Sequence, residues 1–306
     1  GGFFYARPVN DKWGWGVSVG SISGAAMEYG QPADFAGRYW ATEVDLLTIN
    51  VTPAVSYRVN ERFSLGAGLP VMFGRLDMDV AIPGIAAGAP EGLARIKSGE
   101  DIQATISLSA LWQATDRLRL GAMYLGKVDI EFDSDLSLTL PPGAEREDVA
   151  AAVGFTYPQT VRTWAAYELN DRVTLLGTLA WEDWSAFDSI AISTPIAGAA
   201  LPRNWEDTYK FAAGVHFRPV EKWLLQVGFA YDTSPVDSKD RTPDMPIDRQ
   251  IRYATGVQYQ WSEDVSLGGQ FVYADYGDAK IKNNLLKGEY KRNDLFFLAL
   301  NVNWKF

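Results

Sequence analysis

The sequence predicts an all-β fold: a transmembrane, up-and-down antiparallel β-barrel. Three observations carry that reading. Apolar side chains recur at every second position in about thirteen segments. Six tight turns alternate strictly with six longer connections. The chain also stops on a strand, LFFLALNVNWKF, with Phe306, Trp304, Val302, Leu300, Leu298 and Phe296 on one face and Lys305, Asn303 and Asn301 on the other. A period of two marks a strand with chemically different faces. A water-soluble sandwich alternates too, but it mixes loop lengths through Greek-key crossovers. A propeller repeats every 40 to 50 residues or so, and no such repeat occurs.

Composition agrees. The chain has 306 residues, 47% of them hydrophobic, and no run of 18 apolar residues, so no transmembrane helix is expected. Barrel strands alternate and escape that test. There are 11 Trp, 14 Tyr and 15 Phe, rings that gather where hydrocarbon meets water. The 28 Gly and 15 Pro suit strands and turns better than helices. Without Cys there is no disulfide framework and no thiolate metal site. A net charge of −10 argues against nucleic acid as a partner.

In order, Phe3 to Val9 is the first strand and Asn10–Asp11 its turn. Trp13 to Ile22 follows. A strand from Leu47 to Val59 turns at Asn60–Glu61 into Phe63 to Phe73, where the apolar phase slips to Leu76, Met78, Val80 and Ile82. A β-bulge near Gly74 is the expected cause. Ile102 to Trp112 turns at Thr115–Arg117 into Leu118 to Phe132. After a long segment, whose EREDVAAAVGF reads as a short helix, Tyr157 to Leu169 turns at Asn170–Asp171 into Val173 to Trp181. Phe211 to Phe217 turns at Pro219–Glu221 into Trp223 to Tyr231. Ile251 to Trp261 turns at Ser262–Asp264 into Val265 to Tyr273, and the final strand follows. Trp13, Phe63, Trp112, Trp223 and Trp261 lie beside the turns, where a lower aromatic girdle belongs. The whole chain, 1–306, reads as one barrel domain. Long extracellular loops are expected near 25–40, 83–98, 133–156, 193–204, 235–248 and 279–290.

A terminal aromatic strand resembles the insertion signal of bacterial outer-membrane barrels. The stretches PVNDKWGWGVSVG, DLLTINVTPAVSYRVNERFSLGAG, NWEDTYKFAAGVHFRP, GFAYDTSPV and RTPDMPIDRQIRYATGVQY, in this order and spacing, resemble FadL-type long-chain fatty acid and aromatic hydrocarbon transporters of the Gram-negative outer membrane. The resemblance covers nearly the whole chain. It implies a barrel of fourteen strands, here about thirteen with one N-terminal strand missing, and an N-terminal hatch that this chain lacks. It also implies capture in an apolar groove between extracellular loops and sideways release where an early strand kinks. That strand is Trp13 to Gly24, and the small residues Gly20, Ser21, Ser23 and Gly24 in its upper half are the candidate lateral opening.

The candidate ligand residues are Ile85 and Leu93 in one loop and Leu136, Leu138, Leu140 and Phe155 in another. These apolar side chains either line an intake groove or pack the loops together. Arg75, if the bulge turns it inward, and Lys210 are candidates to meet a carboxylate; such residues more often join a solvated charge network, here with Asp77, Asp79, Asp207 or Glu206. His216, the only histidine, has no companion motif for a catalytic triad or a metal site and reads as a lumen hydrogen-bonder. The expected function is passive uptake of hydrophobic small molecules, with no cofactor, no metal and no enzyme activity, by a monomer among outer-membrane lipid and lipopolysaccharide. A general porin, or an outer-membrane lipase or protease, is the alternative.

Overall fold

The computed structural model describes residues 1–21, 24–30, 34–84, 89–140, 144–195 and 197–305. Ile85, Ser23 and Phe306 lie outside them. Among the described residues, one antiparallel sheet of 20 strands makes the wall. β1 (Phe3–Pro8) pairs with β2 (Trp13–Gly20), and β2 and β3 (Gly24–Glu28) pair end to end along β4 (Glu43–Arg58). The other edge of β4 carries β5 (Phe63–Gly68) and β6 (Val71–Ile82). Two-part lanes continue through β7 (Gly92–Ala104) with β8 (Ser107–Gln113), β9 (Leu118–Leu125) with β10 (Val128–Leu140), and β11 (Ala144–Tyr157) with β12 (Thr160–Asn170). β13 (Val173–Glu182) with β14 (Ser189–Thr194) and β15 (Ala197–Pro202) with β16 (Thr208–Phe217) follow. β17 (Trp223–Asp232), β18 (Gln250–Gln260) and β19 (Val265–Asp275) are single lanes. A small hairpin, β20 (Ile281–Lys282) with β21 (Lys287–Gly288), precedes β22 (Asp294–Trp304), which pairs with β19. Pro70 and Pro158 fall at two of the lane breaks, where a residue without an N–H cannot extend the ladder.

The tight turns form for local reasons. The Asn10 carboxamide oxygen accepts from the backbone N–H of Lys12 and Trp13 at 2.9 Å each. Asn170 does the same for Arg172 and Val173, and Asn60 for Arg62. Thr115 and Ser262 use their hydroxyls in the same way. Such side chains close a turn by replacing a backbone acceptor. Beside the turns, Trp13 meets Tyr57 with ring centroids 4.7 Å apart and Trp223 meets Tyr259 at 4.8 Å.

The outward face is a belt of exposed apolar side chains. Ile49, Val51, Ile102, Leu108, Leu179, Phe211, Val227, Phe229, Phe271 and Leu300 all belong to it. The belt has an upper edge, and here the structure corrects the phase slip. β6 pairs with β4 without interruption from Val71 to Asp79, so no bulge lies at Gly74; the irregularity falls between Leu76 and Met78, on the β7 side. Arg75 keeps the outward phase of Phe73. It joins a row with Leu47, Glu100 and Asp133, directly above the row of Ile49, Phe73 and Ile102. Asp77 on β6 and Asp135 on β10 continue the outward charge above that row, and on β10 the exposed Glu131 and Asp129 carry it below Asp133 as well. Hydrocarbon does not tolerate such a row, so the belt ends between Phe73 and Arg75. Around and above that level the inner face becomes the apolar one. Met72, Leu76, Ile96, Val128, Ile130, Phe132 and Val153 form a buried core there, with Phe187, Ile190, Trp205 and Val236.

The same inversion corrects three expected loops. Segment 133–156 is mostly the hairpin of β10 and β11, with a strand where a helix was expected. Much of 83–98 belongs to β7, and 193–204 holds the β14–β15 hairpin. The connection at 235–248 remains irregular but folds inward, placing Val236, Met245 and Ile247 on the core.

Turn residues 34–40 are tied to the start of β7. Arg38 Nη2 reaches Glu91 Oε1 at 2.8 Å, and the Tyr39 hydroxyl donates to the same oxygen. The guanidinium first, then the phenol, hold the Glu91 carboxyl at about 2, down from 4.5. Because the folded carboxyl titrates below the unfolded one, the contact's contribution is whole above about pH 4.5 and is lost as pH falls through about 2. Hydrogen exchange at the Trp40 amide, which donates to Gly37 O at 2.9 Å, is therefore expected to stay protected at pH 3 in Glu91 protein. The same amide should lose protection at that pH in Glu91→Gln.

Candidate ligand-binding site

A cavity of about 770 Å3 lies on the inner face, beneath the apolar core. Its lining draws on β1, β2, β4, β9, β12, β13 and β16 to β18, so the sheet wraps around it. Met72, Val128, Tyr157, Trp184, Trp205 and Ile247 form an apolar side. Beside them, and touching them where Trp184 meets Glu182, five charged residues reach in from neighbouring strands: Arg162, Glu182, Lys210, Asp232 and Arg252.

Most of these charges are spoken for. Lys210 Nζ lies 3.4 Å from Glu182 Oε1 and 3.4 Å from Asp232 Oδ2. Arg252 Nη2 donates to Asp232 Oδ2 at 2.7 Å and to the Gln250 carboxamide. Trp184 Nε1 donates to Glu182 Oε2 at 3.0 Å. Arg162 differs. It has no carboxylate within ion-pair distance among the described residues, and its Nε is buried without a partner. Three cations therefore face two carboxylates, and the surplus cation is the unpaired one. A half-buried guanidinium with free donors is a site for an anion, because it gains charge-assisted hydrogen bonds.

Lys210 stands in the cavity wall, as its inward phase predicted. Arg75 does not: it faces outward and pairs with Asp77 at 3.0 Å, so a role toward an internal ligand is ruled out by its face. Leu136 and Phe155 pack on the core, while Leu93, Leu138 and Leu140 sit half-buried in the hairpins above; none of the five lines the cavity. Gly20, Ser21 and Gly24 do line it. β2 ends at Gly20 opposite Asn50, and β3 begins at Gly24 opposite Leu47. His216 sits lower on β16, 3.1 Å from Gln226 Nε2, and no group of metal-ligating side chains occurs among the described residues. Sequence reasoning passed over Arg162. The signal was an arginine in the inward register of β12, between the outward Val161 and Thr163.

Residues 2–306 match the family model described as outer membrane protein transport protein (OMPP1/FadL/TodX). A long-chain fatty acid transport protein of Salmonella typhi is 23% identical, with 99% of this chain aligned to 75% of the relative. The crystal structure of a Pseudomonas aeruginosa FadL homologue superposes with a TM-score of 0.86 at 20% identity, over 99% of this chain and 77% of the other. The CymD monoaromatic hydrocarbon channel gives 0.75 at 14% identity, over 100% and 82%. The exposed belt, the inverted upper half and the family match agree on one conclusion: the chain belongs to the FadL/TodX family of outer-membrane transport proteins of Gram-negative bacteria.

Proposed function

We propose that the chain is a passive outer-membrane channel for hydrophobic small molecules, long-chain fatty acids or alkyl and aromatic hydrocarbons. The observation that carries this reading is the internal cavity with one apolar side and one charged side that is short of a single negative charge. Each methylene moved from water to the apolar side is worth about 0.8 kcal/mol, and Arg162 supplies the complement to an anionic head. Ligand is taken from outside and released sideways near Gly20 and Gly24.

The wall supports a finer architectural proposal. Counting end-to-end strands as one lane, there are thirteen antiparallel lanes. An odd number makes the outer two, β1 and β22, run the same way, so they cannot pair antiparallel with each other. One further strand seated between them satisfies both ladders. The barrel then acts as a monomer among lipid and lipopolysaccharide.

A general porin needs an open, water-filled path, and the buried core across the upper interior speaks against one. Cells carrying the protein should take up labelled oleic acid or toluene faster than cells without it, while liposomes containing it should not swell in small sugars. Swelling with no hydrophobic uptake would reverse the assignment. Arg162→Met should weaken oleic acid binding by about ten-fold or more, the value of a charge-assisted hydrogen bond, and leave toluene binding unchanged. Equal losses for both ligands would reduce Arg162 to a structural role.

A further inference from the structure

Asn50 occupies an unusual position. It lies mid-way along β4 on the inner face, between Thr48 and Thr52, with outward Ile49 and Val51 on either side. Its side chain lines the cavity and is only 5% exposed. Among the described residues, neither Nδ2 nor Oδ1 has a hydrogen-bond partner. A buried amide without partners is costly, and one kept in a native structure calls for a ligand or an ordered water to complete it.

The surroundings leave room for one. Asn50 sits opposite Gly20, and a Cβ built on Gly20 meets nothing within 4 Å. On its other side it faces Met72 of the apolar core. Above it the inner face of β4 carries Val44 and Leu46, which pack on that core; below it come Ala54 and Ser56. Asn50 thus marks the level where an apolar interior gives way to a small-residue one. That is where the head of an amphiphile would rest if its tail entered the core.

We propose that Asn50 is a specificity-determining residue that reads an uncharged head group carrying one donor and one acceptor, namely a protonated carboxylic acid. The inference rests on the uptake reading above. A primary amide and a carboxylic acid are complementary: the amide N–H donates to the acid carbonyl, and the acid O–H donates to the amide carbonyl. Both orphan atoms of Asn50 are satisfied at once. A pure hydrocarbon satisfies neither. The division of labour with Arg162 follows from charge, since the guanidinium suits the ionised acid and the neutral amide suits the protonated one. An ionised head cannot pass into hydrocarbon without a large cost, so a site for the neutral form next to the β2–β3 junction is where it is needed.

The test is binding of oleic acid and of 1-octadecene to the purified full chain in detergent, at pH 5 and pH 8, for wild type and Asn50→Leu. The expected result is a loss of about ten-fold in oleic acid binding at pH 5, from the two lost hydrogen bonds, a smaller loss at pH 8, and unchanged octadecene binding. Retained octadecene binding also reports that the variant is folded. If Asn50→Leu loses both ligands, Asn50→Ala, which adds no bulk, decides. Parallel loss of both ligands there, or an oleic acid effect of equal size at both pH values, or no effect, overturns the proposal. Wild-type protein that binds both ligands while Asn50→Leu behaves identically removes only the role of Asn50. Wild-type protein that binds neither removes the uptake reading and this inference together.

Discussion

Asp244→Ala is expected to destabilise the protein by about 3–5 kcal/mol and to free the 233–249 connection from the core. Arg203 Nη1 and Nη2 donate to Asp244 Oδ1 and Oδ2 at 3.1 and 2.6 Å, and both side chains are only 4% exposed. Thr242 Oγ1 accepts a further bond from Nη1 at 2.6 Å. Removing the carboxylate leaves a buried guanidinium, which does not deprotonate to escape its surroundings. The chain must then expose Arg203, and the route to water lies through the connection that carries Asp244. Val236, Met245 and Ile247 on that connection would leave the core with it. Heat unfolding in detergent and protease cleavage within 233–249 measure the two effects. Arg203→Met/Asp244→Leu should recover most of the loss, because replacing both charges of a buried pair by apolar side chains is often neutral or better. Cleavage that stays slow in Asp244→Ala would show that the remaining bonds suffice to anchor the connection: those of Arg241 to Val236 O, Ile247 O and Lys280 O, and those of Tyr29 and Tyr290 to Pro243 O and of Asn293 to Pro246 O.

Below the upper edge of the belt, the chain can be read from its residues. Asn10, Asn60 and Asn170 close their turns with their own side chains, so four residues suffice to see each one. Ile49, Val51, Phe211 and Phe229 face outward because lipid requires it, and a period of two records that directly. Above the edge the same period persists with its sign reversed. Leu76 and Met78 point inward where Phe73 points outward, yet the backbone never changes phase. A reading that follows the apolar face takes this for a bulge, and takes Asp133 and Asp135 for the start of a loop. What decides the matter is which side is wet, and no single strand carries that information. The site has the same character. Lys210 was legible from its phase alone. That Arg162 lacks a partner depends on Lys210 and Arg252 taking up Glu182 and Asp232, and that Asn50 is an orphan depends on the glycine across the ladder.

Phe132→Ala should also cost about 3–5 kcal/mol, toward the upper end, and the reason lies in its neighbours. Phe132 is 0% exposed. Its ring lies 5.9 Å from that of Phe155, and two glycines pack against the residue from the other strands: a Cβ at Gly74 would come within 2.9 Å of Phe132 Cε1, and one at Gly99 within 3.0 Å of Phe132 Cβ. Cavities shrink when adjacent side chains swing in. Two of the nearest positions have none to swing, so most of the vacated volume stays open. That volume is lined by Ile130, Leu76 and Phe155, and an apolar void of this kind stays dry and accepts benzene-sized guests. The expected phenotype is therefore lower heat stability with stronger retention of toluene and still no swelling of liposomes in sugars. Swelling would mean that water had entered, and hence that the aromatic core, rather than a constriction elsewhere, is what keeps polar solutes out. Unchanged toluene binding would place the hydrocarbon path away from Phe132, along the charged side of the cavity.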